Sequence, residues 1–133
     1  MDKRSKIYKI LSKILMRLPS TYPNPALITY SNSRELQTYY QKANWEIPEY
    51  RYDPYVFCDG EDSSIHIESK LGRESGCDIS WYLLHEIGHL LALQKYGEKD
   101  PRWNDFKLSE QYADNFANRW CKKLKEEGFF NKV

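Results

Sequence analysis

The chain is poor in histidine, in paired cysteines and in long apolar runs, and each shortage narrows what it can be. Cys58, Cys77 and Cys121 are odd in number and far apart, with no CxxC spacing. That argues against a disulfide framework and a cysteine zinc site, and fits a reducing, cytoplasmic setting. No segment reaches the roughly 20 apolar residues that span a bilayer. In the opening MDKRSKIYKILSKILMRL, the residues Lys6, Lys9, Lys13 and Arg17 interrupt the apolar core a signal peptide would need. A formal net charge of +1 gives no electrostatic case for a nucleic-acid partner at the level of the whole chain. The sequence shows no repeat, low-complexity tract or charged tail. Its 133 residues are the size of one domain, expected to span 1–133.

Apolar residues at 7, 10, 11, 14, 15 and 18 recur at helical spacing, which predicts an amphipathic helix over 1–18. Its stripe is expected to pack on the core with the basic face solvated, rather than to meet an anionic membrane or a nucleic-acid backbone. Three prolines in PSTYPNP end it, and ALITY follows as a short strand. Asn32 and Glu35 stand at capping-box spacing before a short helix. WEIPEYRYDPYVFC reads as extended. Asp59 and Gly60 form a turn pair inside YVFCDGEDSSIHIES, predicting a hairpin whose second strand turns Ile65 and Ile67 one way and Ser64, His66 and Glu68 the other. A continuous helix is expected over about 78–96, started by Asp78 or Ser80 and ended at Gly97, and another over about 107–127, stopped at Gly128.

The first of these long helices carries HEIGH. Residues four apart share a helix face, so His85 and His89 can aim two imidazoles at one zinc ion, with Glu86 beside them and not a ligand. Zinc lowers the pKa of water to about 7, and a carboxylate within reach can take the proton and return it to a leaving amine. A catalytic zinc has three protein ligands. Glu110 and Asp114, one turn apart in EQYAD, can supply the third: Glu110 ligates and Asp114 holds the far nitrogen of a ligand histidine. His66, Tyr112 and Tyr96 are candidates to contact substrate or an oxyanion, although a lone strand histidine and most of eleven tyrosines serve packing as readily. Cys77, near the active helix, is the one thiol to inspect for metal.

HEIGHLL followed by EQYADNFA resembles the gluzincin arrangement, HExxH then ExxAD, and most closely the ImmA/IrrE-type metallopeptidases. The likeness covers roughly residues 45–120 and extends to DGEDSSIHIES, which is similar to the hairpin and edge strand that precede the active helix there. It implies a compact α+β zincin-like domain, a small mixed sheet with the HExxH helix beneath it and the ExxAD helix completing the site. It further implies Zn2+ held by His85, His89 and Glu110, with Glu86 as catalytic base and Asp114 behind a ligand. The implied activity is zinc-dependent cleavage of a peptide lying along SIHIES by strand addition, the substrate being a regulatory protein such as a transcriptional repressor. NRWCKKL replaces the apolar stretch that commonly follows in that family, and 133 residues leave no space for its frequent helix-turn-helix domain. The rival reading is a catalytically silent zincin that binds a protein or nucleic acid.

Overall fold

The computed structural model describes residues 2–32, 34–36, 38 and 56–132. Helix α1, Lys3–Arg17, starts where Asp2 accepts a hydrogen bond from the Ser5 amide at 2.9 Å. Its Ile7, Ile10, Leu11 and Ile14 are buried, as one helical stripe must be when it faces a core. The basic residues occupy the other arc, so the packing expectation for this helix holds. Strand β1, Ala26–Tyr30, follows the proline-rich break. Residues 34–36 and 38 are helical, and Asn32 Oδ1 caps the Glu35 amide at 3.0 Å. The expected extended segment lies outside the described residues up to 55, and its last part forms β2, Val56–Asp59.

Strand β3, Ser64–Glu68, pairs antiparallel with β2 and parallel with β1, giving a mixed sheet in the order β1-β3-β2. The fold is thus α+β, as expected. Two details of the hairpin differ from expectation. Its connection is four residues, 60–63, with Ser63 at φ 53°, rather than a two-residue turn at Asp59 and Gly60. Strand β3 is the middle of the sheet and not an edge, and all five of its residues are buried, the polar face included. Alternation specifies two faces but not whether the second is wet. Here Phe57 stacks on the His66 ring and Tyr30 reaches it from the other neighbour strand.

A turn of 3-10 helix, Ser69–Arg73, leads to α2, Gly76–Tyr96. Ser75 caps it by accepting from the Asp78 amide at 3.1 Å. Asp78 and Ser80, the expected caps, therefore lie inside the helix, where Ser80 donates back to the Gly76 carbonyl at 2.7 Å. Gly97, at φ 88°, ends α2 as anticipated, in backbone space that favours glycine. The short α3, Pro101–Asn104, links it to α4, Phe106–Glu126, which Asp105 caps and which gives way at Gly128, φ 74°. Ile7, Ile10 and Ile14 of α1, Ile65 and Ile67 of β3, Leu83, Leu84 and Ile87 of α2, and Phe116 and Leu124 of α4 share one core. Among the described residues no helix is long and apolar enough to cross a membrane.

Candidate metal centre

Helices α2 and α4 run side by side, and Gly88 sets how closely. A Cβ at this position would stand 3.1 Å from Ala113 Cα and 3.1 Å from Phe116 Cβ, tighter than neighbouring atoms accept without shifting. The smallest residue on α2 meeting a small one on α4 lets the backbones approach. Their polar rows then meet across the seam.

His85 and His89, one turn apart, bring their Nε2 atoms to 3.1 Å from each other. Glu110 reaches both, with Oε2 3.3 Å from His85 Nε2 and Oε1 3.1 Å from His89 Nε2. Two ligands each about 2.1 Å from a tetrahedral zinc would stand ~3.4 Å apart, so these donor atoms already have nearly the spacing that zinc requires. The set is two imidazoles and a carboxylate, which is borderline-soft zinc chemistry rather than an all-oxygen calcium or magnesium cage. All three donors lie within 4.8 Å of one another. The residues fit the ion.

Behind the first histidine, Asp114 Oδ1 lies 2.9 Å from His85 Nδ1, in contact but off the line of an aligned hydrogen bond. A metal-ligating imidazole commonly has such a carboxylate at its far nitrogen. Burial pulls the His85 pKa down. The hydrogen bond to Glu110 and the charges of Glu86, Glu110 and Asp114 outweigh that, and the net shift is upward. Glu110 shows the complementary balance: burial raises it, but hydrogen bonds to both histidines and their charges hold it well below the ordinary carboxylate range. Without metal, the two shifts favour a protonated imidazole beside an ionised carboxylate.

Glu86 is 6% exposed, as is His85, and His89 is 9% exposed. The Cys58 thiol of β2 lies beside the Glu86 carboxylate, and burial together with that acid pushes the thiol pKa well up. Cys58 is therefore a neutral thiol next to Glu86. The indole of Trp81 stacks on the His85 ring, centroids 5.1 Å apart. Beside Glu110 and Asp114, a cavity of about 580 Å3 is lined by Phe106, Lys107, Gln111, Asn115 and Asn118 of α4.

The structure thus brings together His85, Glu86, His89, Glu110 and Asp114. It does not bring His66, Tyr112 or Tyr96 to them. His66 is 0% exposed, with Nδ1 2.7 Å from the Tyr30 hydroxyl and Nε2 2.8 Å from Ser64 Oγ. Ser64 in turn donates to Asp62 at 2.5 Å. Burial, partly offset by Asp62 and Asp59, lowers the His66 pKa, so a neutral ring accepts from Tyr30 and donates to Ser64. It is a packed link in a hydrogen-bonded chain and has no face for substrate. Tyr112 and Tyr96 pair edge to face with each other, centroids 6.0 Å apart. Tyr96 sits seven residues beyond His89, ~10 Å along the helix axis. Cys77 is exposed in the first turn of α2 and belongs to no metal-capable group among the described residues.

Sequence reasoning missed Trp81, Gly88, Asn118 and Cys58. The first three had a signal: Trp81 precedes His85, and Asn118 follows Asp114, by one turn, and a glycine inside a helix pattern marks close packing. Cys58 had none, because its contact joins a strand to a helix far along the chain. No family model matches the chain, nor does any curated protein or solved structure.

Proposed function

We propose that the chain is a zinc-dependent peptidase of the gluzincin type, holding the metal through His85, His89 and Glu110. One observation carries this reading: two imidazole nitrogens and a carboxylate from different helices converge at 3.1–3.3 Å with a second buried acid, Glu86, next to them. A purely structural site has no use for that acid. Zinc there would polarise a substrate carbonyl and acidify water. Glu86, beside the Cys58 thiol, takes the proton from the attacking water and delivers it to the leaving amine. The Asp114 carboxylate, 2.9 Å from His85 Nδ1, favours the proton on that nitrogen and so an unprotonated Nε2 toward the shared point.

The substrate path differs from strand addition at SIHIES, since β3 is paired on both sides. Among the described residues β2 is paired only with β3, and its Cys58 abuts Glu86. An extended peptide adding to the β2 edge would therefore run past the proposed base. A regulatory protein such as a repressor remains the substrate that the likeness to ImmA/IrrE-type metallopeptidases implies.

The test is zinc per chain after purification, followed by peptide hydrolysis by Glu86→Gln. One zinc per chain is expected in both forms, with hydrolysis ~10²–10⁴-fold slower in the variant. Absence of zinc from the wild type after dialysis against the metal sinks the proposal. Equal hydrolysis by Glu86→Gln sinks the role of the acid alone.

A further inference from the structure

The contacts across the α2 and α4 seam repeat at a four-residue interval. His89 meets Glu110 at 3.1 Å, His85 meets Asp114 at 2.9 Å, and Trp81 Nε1 donates to Asn118 Oδ1 at 2.8 Å. Each step of one turn back along α2 is matched by one turn forward along α4, as antiparallel packing dictates. The first two rungs belong to the ligand set. The third is tryptophan and asparagine, neither of which suits zinc. Its place on the ladder still gives it something to do.

The indole lies over the His85 ring at 5.1 Å and 28°, while His89 meets the same ring edge-on at 4.7 Å and 84°. An imidazole swings about its last side-chain torsion through a broad well. Turning the His85 ring about that bond would lose the stacking and carry Nε2 off the point it shares with His89 and Glu110. The indole has its own anchors, Asn118 at Nε1 and the edge of Tyr82 at 5.9 Å and 82°. Asp114 fixes the ring from behind only loosely, being off the hydrogen-bond line.

We infer that Trp81, held by Asn118, is a positioning residue that fixes the His85 ring plane for metal binding. The inference rests on the zinc reading proposed above. The seam then contains an extended pattern, Trp81, His85 and His89 on one helix against Glu110, Asp114 and Asn118 on the other. Offset aromatic stacking of this kind is worth a few-fold in affinity, and an outer contact to a ligand histidine up to tenfold or more.

The experiment measures zinc affinity by competition with a chromophoric chelator, and thermal unfolding of the metal-free protein, for wild type, Trp81→Ala, Trp81→Phe, Asn118→Ala and the Trp81→Ala/Asn118→Ala double variant. Expected is zinc binding about fivefold weaker in Trp81→Ala, nearly restored in Trp81→Phe, which keeps a stacking ring. Asn118→Ala should weaken binding about twofold alone and add nothing to Trp81→Ala, because it acts through the indole. A lower unfolding temperature in Trp81→Ala with unchanged zinc affinity would make the tryptophan mere packing and overturn the inference. Additive losses in the double variant, or no rescue by Trp81→Phe, would overturn it too. A wild type that binds no zinc removes the metal reading itself, an outcome distinct from zinc bound equally well with and without the indole.

Discussion

Among the described residues two polar clusters are built around histidine, and each contains three groups whose ligand atoms lie close enough to hold an ion: His85, His89 and Glu110 between the long helices, and Asp59, Asp62 and His66 at the sheet. They differ in where the nitrogens point. In the helical cluster two Nε2 atoms face one spot and each other, and the Glu110 carboxylate reaches both. In the sheet cluster the single imidazole has a hydroxyl on each nitrogen, Tyr30 on one and Ser64 on the other. Burial and acid neighbours are common to both. Convergence of lone pairs on a shared point is what a metal centre requires, and satisfaction of each nitrogen separately is what a structural link requires.

The sharpest way to break this contrast is to delete one histidine from each side. His85→Ala is expected to lose zinc altogether, whereas His66→Ala keeps one zinc per chain and unfolds at lower temperature, by about 2 kcal/mol for the polar partners left buried. Elemental analysis beside thermal unfolding separates the two, and loss of zinc from His66→Ala would show that the clusters are not independent. Gly88→Ala should wedge the helices apart, costing about 2 kcal/mol of stability and about tenfold in zinc affinity, because a Cβ meets Ala113 and Phe116 at 3.1 Å. Wild-type affinity in that variant would mean the seam tolerates the extra methyl. Ser64→Ala removes one bond from His66 and is expected to cost about 1 kcal/mol with zinc affinity unmoved.

The mildest test is pH on the metal-free protein. The His85 pKa is raised above 6.5, so its stabilising effect is complete below 6.5 and fades as pH rises through the higher folded value. The Glu110 pKa lies below 4.5, so its effect is complete above 4.5 and fades as pH falls through the lower folded value. Both are therefore fully present only between 4.5 and 6.5. Glu110→Gln should lower the unfolding temperature more at about pH 5.5 than at about pH 8 in chelator. With zinc the trend reverses, since ligand imidazoles must be neutral and metal stabilisation grows with pH. An equal loss at both values would deny the charged pairing of His85 with Glu110.

What could be read in advance follows the range of the interactions. HEIGH, EQYAD and the glycine that ends each long helix are local patterns, and the structure places their residues as spacing predicts. Tyr112, two residues past Glu110, lies ~200° around the helix from it, where it pairs with Tyr96. The place of β3 could not be read. Its parallel pairing with β1 joins Ile28 to His66 across a long stretch of chain, and no local pattern tells a central strand from an edge. The start of α2 was missed because Ser75 precedes a glycine and a cysteine, neither of which signals a helix, so the better helix formers beyond them drew the expected boundary inward.

Every proposed ligand atom, the proposed base and the acid behind the first histidine come from residues 85–114, on two helices joined by the short segment 97–105. Among the described residues outside that span, Trp81 and Asn118 flank the His85 ring and Cys58 of β2 lies beside Glu86. Sequence drift in α1 is weakly constrained, provided the apolar surface survives, whereas Gly88 and Ala113 can change only together. Two chains sharing this chemistry could resemble each other along one helical hairpin and almost nowhere else.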